Sequence, residues 1–314
     1  MYNRRVGIVG AGSVGASAAF SLAITGTCNE IILYDIATDM AIGKAIDIEQ
    51  STNFSPSGTI VRAIEEPSDM KACDIVVITA GVPRKDGMTR EDLLMINAKI
   101  MKDVIENIKD KSPNAIVICV SNPLDVMTYV CHKITKWDSN RIIGMAGALD
   151  TSRMAYEINN KLGYGRAQTR AMVIGDHGEN MIPVPSVSTI GGVPLTEVLS
   201  SEEMEQIIDR TKNGGAEIVK HLGTSAYYAP GRATAIMVEA ILNNSQIMIP
   251  SSCMLNGEYG HNNVTVGVPA IIGKNGVEKV IELELDNDLK AKFDLSVDTI
   301  RNGIGILETN NFFN

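Results

Sequence analysis

Residues 6–15 read VGIVGAGSVG, an apolar run followed by the spacing GxGxxG from Gly10 to Gly15. The apolar run predicts a short buried strand over residues 5–9, and the segment behind the glycines predicts a helix over residues 14–25. Glycines at this spacing let the backbone turn tightly and approach a phosphate, whose negative charge the N-terminus of the helix stabilises. The spacing alone is a weak signal, so its meaning depends on the residues C-terminal to it.

A second apolar run, residues 30–34, predicts another strand, and Asp35 ends it 20 residues after Gly15. In a dinucleotide-binding βαβ unit, a carboxylate at this place accepts hydrogen bonds from the adenosine ribose hydroxyls and repels a 2′-phosphate. We therefore expect NAD rather than NADP as the cofactor. The candidate cofactor-binding residues of this segment are Gly10, Ala11, Gly12, Ser13, Val14, Gly15 and Asp35.

Strands and helices continue to alternate up to residue 144. Helices are predicted over residues 40–50 and 91–109, and strands over residues 59–63, 75–79, 115–120 and 141–144. This alternation is typical of an α/β fold with a Rossmann-type, doubly wound parallel sheet and right-handed crossovers. We expect residues 1–144 to form an NAD-binding Rossmann domain, with ligands bound at the carboxyl ends of its strands.

The pattern changes from residue 145 onward. Helices are predicted over residues 149–161, 201–222, 230–244 and 286–306, and strands over residues 171–174, 247–255, 264–272 and 277–283. The last two strands are joined through Asn275-Gly276, which signals a tight hairpin. We expect residues 145–314 to form an α+β catalytic domain with antiparallel strands that packs directly on the first domain.

Composition excludes several classes of protein. In this chain of 314 residues, 45% are hydrophobic and 21% charged, which suits a folded domain with a sizeable core. The net charge of −9, without a dense Lys/Arg run, argues against a nucleic-acid partner. The five cysteines form no CxxC pair and the four histidines no HxH or HExxH spacing, so we expect a reducing, cytoplasmic location and no metal site. The glycine-rich run after Arg5 would make a poor membrane helix or signal peptide, so no membrane partner is expected.

Polar side chains that could carry chemistry occur in four further motifs. They are His177 in GDHGE, Asp150 and Arg153 in LDTSR, Asn122 in SNP, and Arg84 and Arg90 in AGVPRKDGMTR. Taken singly, these are a structural loop histidine, an exposed ion pair, a turn residue and two surface arginines. Taken together, at the ends of strands and the N-termini of helices, these residues indicate a catalytic site.

The motifs GAGSVG, AGVPRKDGMTR, SNP, LDTSR and GDHGE, in this order, resemble the NAD-dependent lactate and malate dehydrogenase superfamily across essentially the whole chain. Within it the chain is similar to the lactate-dehydrogenase-like malate dehydrogenases of bacteria. The resemblance implies reversible hydride transfer between NAD and a 2-hydroxy acid, (S)-malate being expected as the substrate. It also implies a homodimer or homotetramer that needs no metal.

The resemblance assigns a role to each candidate residue. His177 should exchange the substrate proton and Asp150 should orient and charge the imidazole. Arg153 should hold the C1 carboxylate, Asn122 and Arg90 should polarise the substrate oxygen, and Arg84 should read the rest of the substrate. Asn97, Val120 and Asn122 match positions that the family uses for the cofactor. Because Arg84 and Arg90 flank Gly87, we expect residues 81–90 to close over the substrate as a lid.

Two departures and three alternatives accompany this interpretation. The glycine loop begins at residue 10, so we expect the chain to lack the N-terminal arm of tetrameric animal lactate dehydrogenases, and Glu179 stands where many relatives have Asp. A lactate or other 2-hydroxy acid dehydrogenase would use the same machinery, with a neutral residue, usually Gln, in place of Arg84. An NAD-requiring glycosidase would need a metal-binding Cys/His set and a longer chain. A silent NAD-binding protein would not need His177, Asp150, Arg153 and Asn122 together.

Overall fold

Six parallel strands form two thirds of a large sheet in the computed structural model, which describes residues 3–54, 57–83 and 87–313. Their order in the sheet is β3-β2-β1-β4-β5-β6. Every residue of β4 and β5 is buried, so both faces of the sheet are covered. The strands are β1 (Arg5–Val9), β2 (Glu30–Tyr34), β3 (Ile60–Ile64), β4 (Ile75–Ile78), β5 (Ile116–Cys119) and β6 (Ile142–Gly144).

Four helices connect these strands, namely α1 (Ser13–Thr25), α2 (Thr38–Thr52), α3 (Arg90–Ile108) and α4 (Leu124–Thr135). The first three agree with the sequence predictions. Helix α4 was not predicted, because ten of its residues, including the polar Asp125, Thr128 and His132, are buried and it presents little polar surface to solvent.

The second half of the chain mixes helices with short and long strands. Its helices are α5 (Gly147–Leu162), α6 (Ser201–Leu222), α7 (Tyr228–Leu242) and α8 (Asn287–Thr309). The short strands β7 (Thr169–Arg170), β10 (Thr189–Ile190) and β11 (Val193–Pro194) form one small sheet, and β8 (Val173–Ile174) and β9 (Ile182–Pro183) form another. Three longer antiparallel strands come after them, namely β12 (Ile247–Asn256), β13 (Asn262–Gly273) and β14 (Gly276–Val280).

The long antiparallel strands extend the parallel sheet. Strand β12 pairs with β6 at Ser252 and Gly144, so nine strands run in the order β14-β13-β12-β6-β5-β4-β1-β2-β3. A Cβ atom on Gly144 would lie 2.6 Å from both Ser252 Cβ and Thr128 Oγ1, so this crossing needs glycine. The predicted α/β sheet followed by antiparallel strands is confirmed, and the two halves of the chain share one continuous sheet.

Two predicted strands are shorter in the structure. The strand predicted over residues 171–174 is reduced to β8, because the N–H of Met172 donates to Ser188 Oγ instead of to a neighbouring strand. The strand predicted over residues 277–283 ends at Val280. There the hydroxyl of Tyr259 donates to the Ile281 carbonyl and accepts from the Leu283 N–H, so a side chain replaces a neighbouring strand.

The cysteines and helices add two facts about the described residues. All five cysteines are free thiols in buried positions, and burial raises the pKa of Cys28 to about 12. Within residues 3–54, 57–83 and 87–313, no helix combines the length and apolar character needed to cross a membrane.

Candidate active site

The glycine loop joins β1 to α1 through a very close contact. Gly10 has φ +100°, and a Cβ atom on Gly15 would lie 1.9 Å from the Gly10 carbonyl oxygen. Gly12, the N-cap of α1, makes no side-chain cap, and a Cβ atom placed on it would meet no described atom within 4 Å. The N–H groups of Ser13 and Val14, the first of α1, therefore lie at an open helix end without a side-chain cap. These donors are suited to bind a pyrophosphate.

Asp35 lies beside this loop, directly after β2. Its Oδ2 accepts a hydrogen bond of 2.7 Å from the N–H of Ala11, and its Oδ1 accepts one of 2.9 Å from the N–H of Ala37. These bonds hold the carboxylate at the edge of a cavity of about 360 Å³ that Gly10, Gly12 and Asp35 help to line. The position suits a carboxylate that accepts hydrogen bonds from a ribose.

The amide of Asn97 connects two loops at the strand ends. Its Oδ1 accepts from the N–H of Val82 at 2.9 Å, while its Nδ2 donates to the carbonyls of Val82 at 3.2 Å and Asn122 at 2.7 Å. In this arrangement Asn97 fixes backbone on both sides of the site. Val120 and Asn122 follow β5 and line the cavity that contains His177.

His177 and Asp150 form a close pair at the centre of the site. His177 Nδ1 lies 2.8 Å from Asp150 Oδ2, and the side chains are 15% and 2% exposed. Burial acts to lower the pKa of His177, but the charge and hydrogen bond of Asp150, helped by the charge of Asp125, outweigh it and the pKa is raised. With Nδ1 occupied by Asp150, Nε2 is the ring atom that can exchange a proton with a substrate.

Arg153 uses the other oxygen of the same carboxylate. Its Nη1 donates to Asp150 Oδ1 at 3.0 Å, and its buried Nε has no hydrogen-bond partner among the described residues. The guanidinium lies against helix α6, where a Cβ atom on Gly215 would come within 3.4 Å of Nη2. Donors of Arg153 therefore remain for an anion in the cavity.

Asp125 is a functional candidate that the sequence analysis missed. Its Oδ2 accepts from the N–H of His177 at 2.8 Å and its Oδ1 accepts from Ser252 Oγ at 2.6 Å, so one buried carboxylate joins α4, β12 and the His177 loop. Burial raises the pKa of Asp125. Burial and the nearby charge of Asp125 also raise the pKa of Asp176 to about 6. The sequence signal for Asp125 was its place two residues after the SNP motif, in the first turn of the unpredicted helix α4.

The two arginines of the predicted lid are not both part of the described site. Arg90 begins α3 and its Nη2 lies 2.6 Å from Glu179 Oε1, with the two side chains 77% and 80% exposed. The pair lies at the rim of the site, because Glu179 also lines the cavity beside His177. Arg84 and its neighbours 85 and 86 fall outside the described residues.

The part of the site around His177 is a cavity between the two halves of the chain. It has a volume of about 430 Å³ and is lined, among others, by Val14, Val120, Asn122, Arg153, His177 and Gly215. The N-terminal turn of α1 therefore opens into the same space as the His177–Asp150 pair and the Arg153 guanidinium. This cavity can hold an anionic substrate next to a dinucleotide. His177 can exchange a proton with a substrate in that position.

Comparison with known families agrees with this geometry. The chain matches the lactate/malate dehydrogenase NAD binding domain over residues 4–144, and the lactate/malate dehydrogenase alpha/beta C-terminal domain over residues 147–309. The chain belongs to the lactate/malate dehydrogenase family, as its motifs predicted.

Individual relatives cover the chain almost completely. The malate dehydrogenase of Sulfurimonas denitrificans is 54% identical over 99% of this chain and 98% of its own length. The solved structure of malate dehydrogenase from Salinibacter ruber has a TM-score of 0.93 at 38% identity, covering 97% of this chain and 98% of that one. A lactate dehydrogenase from Cryptosporidium parvum, complexed with lactic acid and NAD, also has a TM-score of 0.93, at 34% identity over 98% of this chain and 99% of its own. Both substrate classes thus occur on this fold.

Proposed function

We propose that this chain is an NAD-dependent malate dehydrogenase that catalyses reversible hydride transfer between (S)-malate and oxaloacetate. The observation that carries the proposal is the His177–Asp150–Arg153 arrangement, which opens into the same cavity as the N-terminus of α1. The curated relative from Sulfurimonas denitrificans, at 54% identity, supports malate over lactate. When bound, NAD accepts the hydride from malate or, as NADH, donates it to oxaloacetate.

His177 is the proposed catalytic acid and base. During malate oxidation its Nε2 takes the hydroxyl proton, and during oxaloacetate reduction it returns that proton to the new alkoxide. The first direction needs neutral imidazole and the second needs imidazolium. Asp150 serves both, because its contact with Nδ1 fixes the ring and its charge stabilises the cation.

Three further residues orient the substrate in this proposal. The guanidinium of Arg153 binds the C1 carboxylate, using donors that Asp150 leaves free. Asn122, held from behind by the Asn97 amide, and Arg90, once it leaves the rim, stabilise the charge that develops on the substrate oxygen. These contacts fix the carboxylate and the oxygen on either side of the reacting bond, which lowers the entropic part of the activation barrier.

Arg84 is the proposed reader of the second carboxylate. Oxaloacetate carries a carboxylate that pyruvate lacks, and enclosing that charge without a cation would be costly. A lactate dehydrogenase would carry a neutral residue at this place, so Arg84 is the residue that separates the two substrate classes.

NAD is held by the glycine loop and selected by Asp35. We propose that the N–H groups of Ser13 and Val14 bind the pyrophosphate, and that Asp35 accepts hydrogen bonds from the ribose. Asp35 offers a 2′-phosphate only a like charge. The kcat/KM for NADH should therefore clearly exceed that for NADPH, and equal values would contradict this assignment.

We also propose a homodimer or homotetramer, a cytoplasmic location and a division into domains 1–144 and 145–314. Assembly is supported by a groove in which Phe20, on α1, and Tyr228, on α7, are 48% and 73% exposed, an apolar surface that a second chain could cover. The five free cysteines suit a reducing compartment.

The test of the proposed function is NADH oxidation with oxaloacetate, measured for the wild type and for His177→Ala. The wild type should turn over and the variant should lose nearly all turnover, with NADH binding by fluorescence titration close to wild type. Lys99→Met, an exposed change on α3, is the control and should behave as wild type. If His177→Ala kept most of its activity, another group would have to carry the proton.

A further inference from the structure

Lys44 contacts the glycine loop and lines a groove separate from the cavity of Gly12 and Asp35. It lies on α2, and its Nζ donates a hydrogen bond of 2.6 Å to the carbonyl oxygen of Ala11. Lys44 is half-buried and helps to line a different groove, next to Ala16 and Ser17 of α1. It is thus a charged group that is bound to the glycine loop and does not line the two cavities of the candidate site.

The backbone of Ala11 is held at both ends by charged side chains. Its N–H donates to Asp35 Oδ2 at 2.7 Å and its carbonyl accepts from Lys44 at 2.6 Å, while the residue itself is fully buried. Hydrogen bonds to charged groups are roughly twice as strong as neutral ones. The peptide units 10–11 and 11–12, on either side of Ala11, therefore each have one strongly preferred orientation before any ligand binds.

The orientation of peptide unit 11–12 determines where the Gly12 N–H points. In a planar trans peptide the carbonyl and the following N–H point in opposite directions, so a carbonyl turned to Lys44 directs the Gly12 N–H away from Lys44. Gly12 is the uncapped N-cap of α1, where a Cβ atom would meet only open space. Lys44 thus orients the backbone at the N-terminus of α1, where the pyrophosphate would bind.

We propose that Lys44 is a positioning residue for NAD, which preorganises the glycine loop by holding the Ala11 carbonyl. Preorganisation raises affinity because the loop loses less freedom when the ligand binds. The inference rests on the NAD-binding part of the proposed function and is independent of which 2-hydroxy acid is the substrate. Its expected signature is a loss of affinity for the ADP half of the cofactor, with the chemistry at His177 unchanged.

The test compares Lys44→Met, Lys44→Arg and the control Lys99→Met in the full-length enzyme. NADH affinity is measured by fluorescence titration and ADP-ribose affinity by calorimetry. Lys44→Met should raise both dissociation constants by the same factor, about tenfold, the lower end expected for a lost charged hydrogen bond. Lys44→Arg should restore most of the affinity, and Lys99→Met should change neither constant. At saturating NADH, the kcat and the KM for oxaloacetate should stay within about twofold of wild type.

Salt separates positioning from simple attraction between a cation and the pyrophosphate. A through-space attraction is screened at about 0.5 M salt, whereas a contact that orients the backbone is not. The Lys44→Met effect should therefore persist at high salt.

Three results would each overturn the proposal: disappearance of the Lys44→Met effect at high salt, unchanged dissociation constants, or a loss of affinity for NADH that is absent for ADP-ribose. If Lys44→Met did not fold, Lys44→Leu would serve with the same expected and contradicting outcomes. A wild type that binds NADH but ignores oxaloacetate would overturn the malate assignment and leave this inference standing.

Discussion

Asp150 holds a histidine on one carboxylate oxygen and an arginine on the other. The distances are 2.8 Å to His177 Nδ1 and 3.0 Å to Arg153 Nη1, and the carboxylate is 2% exposed. Its negative charge raises the pKa of His177 although burial and the charge of Arg153 act to lower it. One buried charge therefore sets the protonation of the proposed base and the position of the proposed substrate-binding cation.

This predicts how the pH dependence changes in Asp150→Asn. Oxaloacetate reduction needs imidazolium, so kcat/KM for this direction should fall as pH rises through the His177 pKa, which in the wild type lies above the ordinary value near 6.5. Without the Asp150 charge, burial is opposed much less and the falling limb should move to lower pH. Asp298→Asn, exposed on α8, is the control. An unmoved limb in Asp150→Asn would show that Asp150 does not set the pKa.

Glu179 bears on the position of Arg90. In this structure Arg90 is paired with Glu179 at the rim, with both side chains about four-fifths exposed. Ion pairs that are this exposed are weak, worth about 0 to 1 kcal/mol. Arg90 can therefore exchange Glu179 for a substrate at little cost, but the cost is not zero.

Removal of this pairing should favour substrate binding slightly. In Glu179→Gln, Arg90 no longer has to leave a carboxylate, so the KM for oxaloacetate should fall by up to about fivefold, with kcat within about twofold. Glu202→Gln, an exposed change of the same charge at the start of α6, should leave KM unchanged. A rise in KM for Glu179→Gln would mean that Glu179 supports the bound state.

At the scale of elements, helix α4 connects the site to the C-terminal helix. Asp125 and Val126 lie in its first turn, and Val126 meets Gly303 of α8, where a Cβ atom would lie 2.9 Å from Val126 Cγ2. Two residues further along α8, a Cβ atom on Gly305 would meet no described atom within 4 Å. The two glycines share a helix and differ in what faces them.

Alanine at these two positions should change stability in opposite directions. Gly305→Ala should raise the free energy of unfolding by up to about 1 kcal/mol, because alanine restricts the unfolded chain and favours the helix. Gly303→Ala should lower it, since the new methyl group forces α4 and α8 apart. Urea unfolding of the two variants and the wild type measures both. Equal shifts in the two variants would contradict the packing described for α8.

Local sequence patterns predicted most helices and strands. The features that were not predicted depend on contacts between residues distant in sequence. The unit β1-α1-β2 and its Asp35 could be predicted because GxGxxG and the carboxylate after it act within about 30 residues. The role of Asp125 could not, because its partners His177 and Ser252 are 52 and 127 residues away. The helix that carries Asp125 was also missed, because it is buried on nearly all sides and its polar residues do not mark a solvent-exposed face.

At the scale of the whole molecule, one nine-stranded sheet carries residues of the site on both sides of the β6–β12 junction. Asn122 follows β5 and Ser252 lies on β12, and Asp125 connects this junction to His177. The sequence predicted two domains in contact and could not show that β12 pairs with β6, because that contact involves a single residue pair. The predicted boundary between residues 144 and 145 stays a prediction.

The net charge of −9 places a further demand on the site. A dianionic substrate approaching an anionic protein needs local cations, and the proposed function assigns it Arg153, Arg90 and Arg84. Arg153 is committed to the first carboxylate and Arg90 to the carbonyl oxygen, which leaves Arg84 for the second carboxylate. The malate assignment therefore depends on Arg84 more than on any other residue.

The most direct test is the ratio of kcat/KM for oxaloacetate to that for pyruvate, measured with NADH for the wild type and Arg84→Gln. A charged hydrogen-bonded contact contributes about 1.5 to 3 kcal/mol, or roughly 10- to 150-fold, and with pyruvate the unpaired arginine adds a penalty. We predict that the wild type favours oxaloacetate by at least about two orders of magnitude, and that Arg84→Gln lowers efficiency with oxaloacetate while raising it with pyruvate. A wild type that reduces pyruvate as efficiently as oxaloacetate, or an Arg84→Gln variant with an unchanged ratio, would contradict the malate dehydrogenase assignment.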